Sequence, residues 1–149
     1  MTLAEGWVAI TSANFSGLVT SGASLDDMSI PVNGQLQFDG VDDISSLVLA
    51  TISAYCSDAT VGFEWSLGLN GSSITDSRMN STMTAVAGYR IAVTHSLLDL
   101  VTNDVIDVMV RVGASATLFV EDLSLTVFDA RGLADTEVFT GTSAPITKP

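Results

Sequence analysis

Val61-Gly-Phe63-Glu-Trp65-Ser-Leu67-Gly-Leu69 is apolar at every odd position and small or polar at every even one. A period of two is the mark of a β-strand with one buried and one open face, because successive side chains leave a strand on opposite sides. The run stops at Asn70-Gly71. That dipeptide suits a type I′ hairpin turn, since both residues tolerate positive φ.

The same period governs the chain on both sides of this run. Upstream, in Leu47 to Cys56, the residues Val48, Ile52 and Cys56 share a phase with the small Ala50 and Ala54. Downstream, Tyr89, Ile91, Val93, His95 and Leu97 alternate, and so do Ile106, Val108, Val110 and Val112, opposite Asp107 and Arg111. A last run begins at Ala116. Leu118 and Val120 hold one phase, and Leu123, Leu125 and Val127 hold the other. The phase slips at Glu121-Asp122, which predicts a bulge or a corner there. Asn33-Gly34, Asp39-Gly40, Ser57-Asp58, Asn103-Asp104 and Gly113 punctuate these runs. Short strands with such turn chemistry predict an all-β sandwich or barrel. The competing reading is local: Ser96 to Val105 could wind as a helix with Leu97, Val101 and Val105 on one side.

The ends differ from the middle. Residues 1–30 are rich in Ser, Thr, Gly and Ala around one short apolar run, Trp7-Val8-Ala9-Ile10, and are expected to form an arm and a first strand. Residues 31–130 carry the sandwich, and residues 131–149 form a tail with little to bury.

Composition narrows the function. Of 149 residues, 47% are hydrophobic and 15% charged, with 17 acids against 5 bases and a net charge of -12. A chain of this length buries roughly 70% of its unfolded surface, enough for one core. Its apolar content argues against disorder. Four arginines and one lysine cannot neutralise many phosphates, so no nucleic acid is expected as a partner. No run of about 18 apolar residues would span a membrane as a helix. The N-terminal residues carry Glu5 in place of a basic region, so export by a signal peptide is not expected. One cysteine, Cys56, cannot build an intrachain disulfide or a multi-cysteine zinc site.

Residues with chemical potential each have a plainer role. His95 is the sole histidine and sits in an alternating apolar phase, as a buried or interface residue would. A Cys56–His95 pair would be the one nucleophile–base set available. The acids fall as Asp26-Asp27, Asp42-Asp43, Asp104 with Asp107, and Glu121-Asp122. Calcium takes several loop oxygens, but none of these groups has EF-hand spacing, and solvated turns account for them. Phe63 and Trp65 read as core, whereas Trp7 could dock into a partner or cap the domain's own core. No cofactor and no enzymatic activity are expected.

Three stretches carry a resemblance. They are Leu69-Asn-Gly-Ser-Ser-Ile-Thr-Asp-Ser-Arg78, then Ser96-Leu-Leu-Asp-Leu-Val-Thr-Asn-Asp-Val-Ile-Asp-Val-Met-Val-Arg111, then Leu118-Phe-Val-Glu-Asp-Leu-Ser-Leu-Thr-Val127. Their order resembles the C1q/TNF-like jelly-roll domains of phage head fibres, capsid decoration (cement) proteins and fibre tips. It spans about residues 31–130, with Met109 where those domains usually carry an aromatic residue.

The resemblance implies an antiparallel jelly-roll β-sandwich that assembles as a homotrimer, burying one apolar sheet face between subunits. The face with Tyr89, Ile91, Val93 and His95 would lie in that interface. The arm, with Trp7, Val8, Ile10 and Phe15, would contact a partner, the major capsid protein. The implied function is capsid decoration on the outer surface of a phage virion, by a protein made in the host cytoplasm. A fibre-tip module that recognises host glycans or proteins is the alternative.

Overall fold

The structure is a computed structural model. It describes residues 2–3, 6–15, 27–56, 61–83, 90–112 and 116–130, and of residues 2–3, 83, 90–92 and 116 the backbone only. The described strands are β1 (Thr2–Leu3), β2 (Val8–Ala9), β3 (Met28–Ser29), β4 (Gln35–Phe38), β5 (Ile44–Cys56) and β6 (Val61–Leu69). After them come β7 (Ser72–Ser73), β8 (Met79–Met83), β9 (Arg90–Leu100), β10 (Val105–Val112) and β11 (Ala116–Asp129), with a 3-10 turn at Thr75–Ser77. The protein is all-β, and its strand pairings are antiparallel.

The strands form two sheets. One has four strands in the order β1-β11-β5-β9, and the other has seven, with β3-β4-β10-β6-β7 as its path. In the larger sheet β2 pairs with β10 beyond the end of β4, and β8 pairs with β6 beyond the end of β7. The helix alternative for 96–105 gives way to a strand and a turn. β9 runs through Leu100, and β10 starts at Val105. The period-two flanks prevail because Leu98 and Leu100 already lie opposite Ser46 and Ile44 of β5, on the inward face.

Alternation sets the core. Phe63, Trp65 and Leu67 of β6 face Ile106, Val108, Val110 and Val112 of β10 across their ladder. From the other sheet come Val48, Ala50, Ile52, Ala54 and Cys56 of β5 and Leu118 of β11, all in the same buried cluster. Full burial of one such side chain contributes about 1.5–3 kcal/mol. The indole N–H of Trp65 donates to Ser81 Oγ at 2.6 Å, so this buried ring leaves no donor unmet. The pairing of β11 with β5 shifts between Val120 and Asp122, at the phase slip in the sequence.

The described part of residues 1–30 belongs to the sandwich. β2 and β3 are strands of the larger sheet, Ile10 donates its N–H to the Val108 carbonyl at 2.8 Å, and Ile10 and Phe15 are buried in the common core. Val8 packs against that core. The tail 131–149 lies outside the described residues.

One end of the sandwich is tied by turns. Asn70 (φ 51°) and Gly71 (φ 78°) take the two positive-φ positions of a type I′ turn. The Asn70 side chain then reaches the β9–β10 turn. Its Oδ1 accepts the Val105 N–H at 2.9 Å, and its Nδ2 donates to Asp104 Oδ1 at 2.6 Å. Asp104 Oδ2 accepts the Val101 N–H at 2.9 Å, while the Asp104 carbonyl accepts the Phe38 N–H. Asp104 therefore spends both oxygens closing its own turn and clamping a neighbouring one.

Candidate interaction faces

Residues opposite each other in an antiparallel pair point to the same side. On the four-stranded sheet, the outward set follows from register. Leu47 of β5 lies opposite Leu97 of β9 and Phe128 of β11. Leu97, Leu47 and Phe128 thus form an apolar row across three strands. The next row is His95, Leu49 and Thr126, and the one after it Val93, Thr51 and Ser124. Further along, Tyr55 stacks on Phe119 with ring centres 4.7 Å apart.

This face is open. Leu97 is 74% exposed, Phe128 50%, Val93 49% and Phe119 40%. Single exposed apolar residues are ordinary, but a contiguous group marks an interaction surface. Of the residues expected between subunits, Val93 and His95 sit here, both exposed. Ile91 occupies a backbone position in β9 opposite Ser53, and Tyr89 lies outside the described residues. His95 points out and Cys56 points into the core, on opposite sides of one sheet. The two side chains cannot form a dyad.

The outer face of the seven-stranded sheet is different. Asp107, Met109 and Arg111 of β10 share it with Glu64, Ser66 and Gly68 of β6. Asp107 is 1% exposed and Met109 is buried, although both point away from the core. Gln35 Nε2 donates to Asp107 Oδ2 at 3.2 Å, and among the described residues Asp107 Oδ1 has no partner. Burial pushes the Asp107 carboxyl above its ordinary pKa, and the Gln35 hydrogen bond offsets part of that shift.

At the other end of this face lies Trp7. β2 pairs Ala9 with Met109, so continuation of the register brings Trp7 to Arg111. The guanidinium carbons of Arg78 and Arg111 lie 5.3 and 5.1 Å from the Trp7 ring centre. Arg111 also pairs with Glu64 at 2.5 Å, and Arg78 Nη2 donates to Ser73 Oγ at 3.0 Å. Gly6, Trp7, Gly62, Glu64, Asn80, Thr82 and Arg111 border a groove of about 530 Å³ here. Sequence alternation marks Trp7 as aromatic but gives no sign that two arginines from distant segments meet it.

The acid groups do not assemble. Asp42 and Asp43 are exposed in a turn, and Glu121 and Asp122 are exposed at the β11 irregularity. Asp26 lies outside the described residues. Among the described residues, no three of His, Cys, Asp and Glu come close enough to hold a metal ion, and no helix is long and apolar enough to cross a membrane.

These observations define an all-β protein of two antiparallel sheets, of which the four-stranded one exposes Leu97, Phe128, Val93 and Phe119 among polar residues on its outer side. Its chain matches no protein-family model and no curated protein.

Proposed function

We propose that this chain is a jelly-roll capsid decoration protein that trimerises through the outer face of its four-stranded sheet. One observation carries the self-association: the apolar row Leu97–Leu47–Phe128, whose two ends are exposed and whose centre is half-buried, with half-buried Leu49 and exposed Val93 in the rows beside it. Water-facing rows of this kind gain by being covered, and about 25 cal/mol is recovered per Å² of apolar surface removed from water.

Strand order supports the jelly roll. Taken in chain order, β1, β4, β5, β6, β8, β9, β10 and β11 become strands one to eight. They pair as 1-8-3-6 in one sheet and 2-7-4-5 in the other. That is the arrangement of two interleaved Greek keys that a jelly roll requires. Threefold symmetry and the capsid partner come from the resemblance of residues 31–130. The net charge of -12 keeps the uncovered remainder of such an assembly in solution.

Size-exclusion chromatography with light scattering tests the reading. A compact trimer is expected at micromolar concentration, with Leu97→Asp running as a monomer. A wild-type chain that stays monomeric overturns it. Co-sedimentation with intact capsids, in copy numbers that are multiples of three, tests the partner. The Trp7 groove favours a second reading, a fibre-tip module that recognises host surface glycans.

A further inference from the structure

We infer that Asn70-Gly71 is a latent deamidation site, held shut by the clamp on Asp104 and unable to close again once it has reacted. The chemistry needs only water. The Gly71 nitrogen gives its proton to solvent and bonds to Asn70 Cγ. The Cγ–Nδ2 bond then breaks, and ammonia leaves with a proton taken from water. The resulting succinimide takes up water and opens to an aspartyl or isoaspartyl residue. A glycine that follows the asparagine favours the attack, because no side chain crowds the nitrogen.

The site is open to solvent. Asn70 and Gly71 are both exposed. Among the described residues, nothing beyond its chain neighbours lies within 4 Å of where a Cβ on Gly71 would sit. Water reaches the reacting bond, and bulk does not shield it.

What restrains the reaction is the hold on the amide. Asn70 Oδ1 accepts the Val105 N–H at 2.9 Å, and Nδ2 donates to Asp104 Oδ1 at 2.6 Å. Both partners belong to the β9–β10 turn, 34 and 35 positions further along the chain. For Cγ to meet the Gly71 nitrogen, the amide must swing back over its own peptide and give up both bonds. Asp104 cannot follow it, because this residue is 8% exposed and its other oxygen accepts the Val101 N–H. Attack therefore waits for this end of the sandwich to open, and its rate follows the fraction of molecules open there.

The product does not fit the clamp. An aspartate at position 70 still offers one oxygen to the Val105 N–H. It sets its second oxygen, in place of an N–H donor, against Asp104. A charge-assisted hydrogen bond becomes a contact between two carboxylates, and Asp104 loses its donor. The β6–β7 and β9–β10 turns are then pushed apart, so one opening event that reacts is never reversed. This inference rests on hydrogen bonds inside one chain and stands apart from the trimer reading.

Peptide mass mapping, after incubation in mildly alkaline buffer at body temperature, supplies the rates. Wild type unfolded in urea should convert readily at Asn70. Folded wild type should convert at least about tenfold more slowly, the protection expected of one charged and one neutral hydrogen bond. Asp104→Asn keeps an acceptor for the Val101 N–H and loses only the clamp. Shown to be folded by circular dichroism, it should convert at a rate between those two. Asn70→Asp, the product made genetically, should melt below wild type. Adding Asp104→Asn to it should restore part of the loss, because the new amide can donate to the new carboxylate across the same gap. Folded wild type that converts as fast as the unfolded chain would overturn the inference. So would folded Asp104→Asn with the wild-type rate, or Asn70→Asp that melts with wild type. Should Asp104→Asn alone not fold, the wild-type rates and the melting temperature of Asn70→Asp still decide.

Discussion

The two sheets of this protein turn opposite kinds of surface outward. The four-stranded sheet shows water Leu97, Phe128, Val93 and Phe119. The seven-stranded sheet buries Met109 and the ionisable Asp107 on the side away from the core. Each breaks the rule of apolar in and polar out, in opposite directions. Exposed apolar rows cost nothing in packing but leave a gain unrealised until another surface covers them. A buried carboxylate is paid for within the chain itself, through desolvation. The first sheet thus points to association, and the second to local crowding.

The largest expected effect lies on the crowded side. Gly68 is outward-facing, yet a Cβ there would meet Asp107 Oδ1 at 2.1 Å and Met109 Cγ at 2.8 Å. Gly68→Ala should destabilise by about 2 kcal/mol, as over-packing of a closed site does. Urea unfolding measures it, and an unchanged midpoint would mean that this face is looser than its geometry. On the open sheet, the exposed Thr51 should accept alanine with a change within about 0.5 kcal/mol.

Asp107→Asn is next. Burial raises the Asp107 carboxyl pKa, so the folded state holds its proton more tightly than the unfolded chain does. Its contribution is then favourable in acid, below the unfolded value, and is lost as pH rises through the folded one. The variant does not titrate. Relative to wild type it should be more stable at neutral pH, with the gain shrinking as pH falls toward the ordinary carboxylate range. A stability difference that does not change with pH would contradict an ionised, desolvated Asp107.

Leu97→Asp should have the smallest effect on the isolated fold. Leu97 is 74% exposed, so the stability of the dilute monomer should move by no more than about 0.5 kcal/mol. The same substitution should abolish the higher mass in light scattering. A large loss of monomer stability would show that the row is part of the fold rather than an interface.

These contrasts explain what the sequence discloses. Strict alternation in Val61–Leu69 and Ile106–Val112 gave strands β6 and β10 and their inward residues, because period two is a local signal. The Val120/Asp122 shift was legible for the same reason, as a break of phase. The positive φ of Asn70 and Gly71 followed from residue type.

Contacts made over distance were not legible. Alternation places Asp107 and Arg111 opposite the apolar phase of β10, but it cannot see what covers that side. The short run Trp7–Ile10 looked like an arm because too few apolar residues flank it. Its place beside β10 depends on residues about a hundred positions away. The clamp between Asn70 and Asp104 likewise joins a turn read locally as a type I′ hairpin to one read as a solvated acidic turn. His95 looked like a core or interface residue by phase, and its outward direction becomes visible only once β9 is paired with β5.

The strand order also has a consequence for biosynthesis. Each sheet needs a strand from residues 105–129 in its interior: β10 lies between β4 and β6, and β11 between β1 and β5. A ribosome releases β4, β5 and β6 well before either, so those strands emerge with edges still waiting for a partner. Such non-local closure slows folding and prolongs the exposure of unpaired edges. The nascent chain therefore passes through a window in which Leu47–Cys56, apolar on nearly both sides, is open to aggregation. A chaperone that shields this one strand until β11 arrives would raise the yield of folded protein.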